Sequence, residues 1–151
     1  MANDAISDLG NTISLSGGGE EYTPALGDGS CKPGMCVGKL TTGKVFAVDA
    51  DNATTGKSAI GILDKIMTAG IDVAITDGAK CQIIEPVPGK KYRVFIEDPG
   101  AARQKGAPVM IGATTAGSFT VSATISASTQ RVATLDKAVA NGDTVAEIRW
   151  G

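Results

Sequence analysis

The chain has 151 residues, 42% of them hydrophobic and 20% charged, with a net charge of −2. That length suits one domain able to bury roughly two-thirds of its unfolded surface. No apolar run approaches the ~20 residues that span a bilayer. The N-terminus lacks the basic start and apolar segment of a secretory signal. A slightly acidic balance argues against a nucleic-acid surface. Neither membrane nor nucleic acid is expected as a partner.

Residues 1–22 differ from the rest. Ile6, Leu9, Ile13 and Leu15 are spaced among polar residues, and Gly17, Gly18 and Gly19 follow. A triple glycine is a flexible joint. Thr12–Leu15 alternates as a short strand would, but the segment cannot build a core. It reads as an extended N-terminal arm that orders on a partner, with the four apolar residues as anchors and the glycines as hinge. Residues 1–31 carry five acidic residues and no Lys or Arg, so the remainder is +3.

The body, residues 23–151, reads as one antiparallel β-domain. Pro33-Gly34 turns into Met35–Leu40, and Thr42-Gly43 reverses the chain into Lys44–Asp49. After the polar stretch Asp49–Ser58, Ala59–Leu63 is a buried strand. Ile71–Thr76, an Asp-Gly turn and Lys80–Glu85 make a second hairpin. Pro86–Gly89 breaks the ladder before Lys90–Glu97, where Tyr92, Val94 and Ile96 alternate as in a half-buried strand. Further strand-like runs are Ala107–Ile111, Ser118–Val121, Thr124-Ile125, Arg131–Leu135 and Thr144–Trp150, and Asp136–Ala140 could make one helical turn. The stretch from Lys32 to Gly38 is echoed by the stretch from Lys105 to Gly112: basic residue, glycine, then an apolar run. We read this as similar turn chemistry.

Chemistry is sparse. The chain has no histidine, which removes Ser-His-Asp and Cys-His arrangements and a mixed zinc site. Gly56-Lys57-Ser58 ends like a phosphate loop, but position 51 is Asp where that motif needs Gly. Asp49–Asn52 lacks the further ligands of a calcium loop and reads as an Asx turn, with a weak cation site as the alternative. Cys31, Cys36 and Cys81 are an odd number; Cys36 and Cys81 lie in apolar runs, where cysteine is usually a small buried hydrophobe. No catalytic, metal or cofactor residues are assigned, and an enzyme is not expected. Lys90, Lys91, Arg93, Arg103 and Lys105 form the densest basic stretch, a solvated face or a contact patch for an acidic neighbour.

The order of these pieces carries a resemblance: a PGM turn at Pro33–Met35, TTGKVFAVDAD at 41–51, AIGIL at 59–63, then a strand ending in a glycine turn. It resembles the head decoration proteins of tailed bacteriophages, the lambda-type decoration protein and related capsid-cement families. The likeness is best over Pro33–Glu85 and returns at Arg131–Trp150. It implies a mainly β fold, a small antiparallel barrel or tulip-like domain with an extended arm. It further implies a homotrimer on the outer capsid surface, made in the host cytoplasm, that binds the major coat protein at local three-fold positions and stabilises the expanded shell. A tail-tube, fibre or head–tail joining component would share this build. A small-ligand or carbohydrate-binding β-module is the remaining alternative, but Trp150, Tyr22 and Tyr92 are too scattered to form an aromatic platform.

Overall fold

A computed structural model describes residues 13–15, 19–48, 61–64, 73–111, 114–124 and 131–151. Ten strands follow one another: β1 (Glu21–Leu26), β2 (Cys36–Lys39), β3 (Val45–Ala47), β4 (Gly61–Leu63), β5 (Lys80–Glu85), β6 (Lys91–Phe95), β7 (Pro108–Met110), β8 (Thr120–Val121), β9 (Arg131–Leu135) and β10 (Val145–Trp150). Among the described residues there is no helix. The β2–β3 hairpin turns at Gly43, whose φ of 87° lies where side chains are strained.

The strands form two five-stranded antiparallel sheets, ordered β1-β5-β4-β2-β3 and β6-β10-β9-β7-β8. Neither closes into the expected barrel. Each is instead drawn together at one corner by a single parallel bridge, Leu26 to Lys44 in the first and Ile96 to Phe119 in the second. In the first sheet the ladder cannot lengthen. The residues before Lys44 make the β2–β3 turn, and after Leu26 the chain leaves to bond Gly27 N–H to Ala79 C=O.

The two sheet orders are the same pattern, each strand number raised by five. The hydrogen bonds repeat with it. Gly34 N–H donates to Leu63 C=O, and Gly106 N–H to Leu135 C=O. Leu63 N–H donates to Met35 C=O, and Leu135 N–H to Ala107 C=O. Asp64 N–H donates to Gln82 C=O, and Asp136 N–H to Glu147 C=O. Asp28 and Asp98 each accept a backbone N–H two residues on, from Ser30 and Gly100. Gly34 and Gly106 both have φ of 92°. The echo between Lys32 and Lys105 therefore marks a repeat of the whole five-strand unit, beyond the shared turn chemistry that the sequence indicates.

Alternation along the first sheet serves two cores. Cys36, Ile62 and Ile84 face the larger cluster, which holds Tyr92, Val94, Ile96, Phe119, Leu135 and Ile148 from the second half. Val37, Leu63, Ile83 and Ala25 face a smaller cluster closed over by Cys31 and Ile75. Burial on both faces explains why β4 is continuously apolar.

Two expectations are corrected. Val73–Thr76, within the expected strand Ile71–Thr76, is not a strand: Val73 is exposed, while Ile75 dips into the smaller core and its N–H donates to Cys31 C=O. A segment crossing the open end of a sheet needs only one apolar plug. Asp136–Ala140 is not a helical turn, because Val139 is taken by an antiparallel bridge to Arg103.

Candidate functional site

Ile13 and Leu15 of the arm lie within the described residues; Ile6, Leu9, Gly17 and Gly18 lie outside them. Ile13–Leu15 adds to the edge of β6. Ser14 pairs antiparallel with Tyr92, Arg93 N–H donates to Ile13 C=O, and Leu15 N–H donates to Lys91 C=O, both at 2.9 Å. The Ile13 side chain is 1% exposed, inside the larger core. Ile13 is thus an anchor to the chain's own body, not an anchor offered to a partner, because alternation turns it toward the sheet interior. Gly19 is exposed with φ of 85°.

A polar latch sits over this junction. Ser14 Oγ donates to Glu20 Oε1 at 2.7 Å, Tyr92 OH donates to the same oxygen at 3.3 Å, and Val87 N–H donates to Tyr92 OH. Burial pushes the Glu20 carboxyl up, but bonds from Ser14, its own backbone and Tyr92, with the charge of Lys90, outweigh it and leave the group below its ordinary range. The edge of β1 offers no matching dock. In the repeat Pro24 stands where Arg93 stands in β6, and proline has no N–H to hold an incoming strand.

Lys91 and Arg93 of the basic stretch are ion-paired within the chain. Lys91 and Arg149 face each other across β6 and β10, and both pair with Asp136, at 3.2 and 3.3 Å. Arg93 and Lys137 pair with Glu147 at 3.0 and 2.9 Å. Arg103 bonds Pro99 C=O. Burial alone would raise the Asp136 carboxyl; the Lys91 hydrogen bond and charge, with Lys105 and Arg149, hold it below its usual value. A depressed carboxylate contributes stability above its unfolded pKa of about 3.9, and that contribution is lost as pH falls through the folded value. Asp136→Asn is expected to cost about 1–3 kcal/mol at neutral pH and to flatten the loss of stability below pH ~4. Urea titrations at pH 7 and pH 3.5 check both.

Cys31 and Cys36 are fully buried, and burial pushes both thiols up to about 12. Cys81 is only half-buried, less enclosed than its apolar run implies, because it lies at the mouth of the smaller core. There it lines a groove of about 470 Å³ with Pro24, Ala25, Leu26, Lys39, Gly43 and Lys80. Among the described residues no group of acidic and cysteine side chains is placed to hold a metal. Asp49–Asn52 and Gly56–Ser58 lie outside the described residues.

No known protein family matches the chain, and no curated protein sequence matches it. Among solved structures it is similar to a chain of the capsid of Myoviridae phage XM1. The TM-score is 0.53 and the identity 17%, over 91% of this chain and 90% of that chain. The likeness is one of fold and extends over both halves of the repeat.

Proposed function

We propose that this protein is a structural, non-catalytic component of a phage virion. In this reading it binds the outside of the capsid as trimers at local three-fold positions and stabilises the expanded shell. The observation that carries the reading is the end-to-end fold likeness to a chain of the phage XM1 capsid, joined to the motif order from Pro33 to Glu85. The docked segment Ile13–Leu15 fits the role in a modified form. It fixes the root of the arm to β6, so that Ile6 and Leu9 remain as the candidate coat contacts.

Burying those two side chains contributes on the order of 1–2 kcal/mol each before ordering costs. Three arms on one trimer multiply a weak contact into firm attachment. Binding to the assembled shell in preference to free coat protein raises shell stability by mass action. Calorimetry of expanded coat shells tests this. Saturating protein is expected to raise the shell melting temperature, and protein lacking residues 1–12 is expected to raise it far less. An unchanged shell transition with the full chain would sink the proposal.

A further inference from the structure

The two ends of the β1–β5 pair carry opposite charge. Leu26 pairs with Lys80 at one end, and Glu21 with Glu85 at the other. The first end opens into the groove of about 470 Å³, whose lining includes Leu26, Cys81, Lys39 and Lys80. That volume is within the ~300–1,000 Å³ of pockets that enclose a ligand. Both lysines are exposed, and among the described residues neither has an ion pair. The acids on adjoining segments are already engaged. Asp77 pairs with Lys44 at 2.6 Å, and Asp28 accepts from the Ser30 N–H and hydroxyl.

The other end is acidic around an aromatic side chain. Glu21 and Glu85 stand directly opposite each other, both exposed and, among the described residues, without an ion pair. Like charges so placed repel and destabilise a sheet, so the isolated fold gains nothing from the pair. Tyr22, next to Glu21, is 46% exposed. Burial, then the charges of Asp64 and Glu20, push its hydroxyl above the ordinary range. Exposed tyrosines are favoured interface anchors. Pro24 keeps this edge from adding a strand, so a partner here is held by side chains. Glu21 and Leu26 lie about 17 Å apart along β1, too far for Tyr22 to fill its own groove.

We propose that the groove receives Tyr22 of a second copy of this chain, with that copy's Glu21 and Glu85 meeting Lys39 and Lys80. The contact uses different surfaces on the two copies, so it repeats around a closed ring or, where the rotation does not close, along a filament. It supplies the interface of the trimer proposed above and rests on that reading only for the number of copies.

Sedimentation velocity on the isolated full-length chain tests it. Native protein is expected to associate at high micromolar concentration, and Tyr22→Ala to weaken that association at least about tenfold. Lys39→Glu/Lys80→Glu and Glu21→Lys/Glu85→Lys should each weaken it as strongly, since each sets like charges against one another. The chain carrying all four charge reversals should associate again, because the charges then match with opposite sign. Thermal unfolding of the variants should stay near native, as the substituted side chains are exposed. A native chain that stays monomeric would overturn the proposal. So would association that the charge variants leave unchanged, or that the fourfold reversal fails to restore. A copy number other than three, lost and restored by the same variants, would keep this interface and contradict the trimer. Shells left unstabilised by an intact trimer would contradict the capsid role alone.

Discussion

Ile13→Ala is expected to lower the melting temperature of the free protein by roughly 5–15 °C, although residue 13 lies in the arm. The side chain is buried beside Tyr92, Val94 and Ile148 in the larger core. Truncating a buried isoleucine to alanine costs about 2–4 kcal/mol, and in a chain of this size each kcal/mol is worth about 2–4 °C. Ile6→Ala and Leu9→Ala lie before the docked root and should leave that temperature nearly unchanged. Thermal unfolding followed by circular dichroism separates the three variants. A flat response at Ile13 would mean that the segment does not hold to β6 in solution. Cutting at residue 16 removes Ile13 together with the arm, so truncations that probe partner binding belong at residue 12.

Gly61→Ala is expected to destabilise the protein by about 3 kcal/mol, at the upper end of the cost of overpacking a core. Gly61 lies in β4 at the centre of the first sheet, paired with Val37 of β2. A Cβ there would collide with the Ile84 backbone carbonyl oxygen and with Ile83 Cγ2. Backbone cannot rotate away as a side chain can, so β4 would have to part from β5. Both cores would feel it, since Ile62 and Leu63 face opposite clusters. Ala133 holds the matching place in β9 and pairs with Val109. Ala133→Gly leaves only a methyl-sized gap and should cost about 1 kcal/mol. Chemical denaturation of the two variants measures the contrast; equal effects would remove the close approach as its cause.

Much of this architecture was legible in the sequence because strand patterning and turn chemistry act locally. Glycine turns and apolar alternation placed every strand from β2 to β10 to within a few residues. What stayed hidden depends on pairing across the chain. The first strand, Glu21–Leu26, has weak alternation and a proline, and it exists because β5 and the Gly43 corner hold it. The repeat surfaced only at Gly34 and Gly106, since fixed backbone geometry tolerates different interior side chains, such as Val45 against Phe119. The arm was visible as a segment, but its division was not. Ile13 and Ile6 look alike in sequence, and only the β6 edge and the Glu20 latch distinguish the residue bound to the body. The groove was invisible for the same reason, as Pro24, Lys39, Gly43 and Cys81 meet only through the sheet order.

The most direct test is electron cryo-microscopy of expanded shells of the cognate coat protein, mixed with the full-length chain and imaged without imposed assumptions about its position. The account predicts additional density on the outer surface, three copies around each local three-fold axis, with the N-terminal segment running from the Ile13 root onto the coat. Bare shells, or copies assembled as rings or tubes away from the shell, would contradict it.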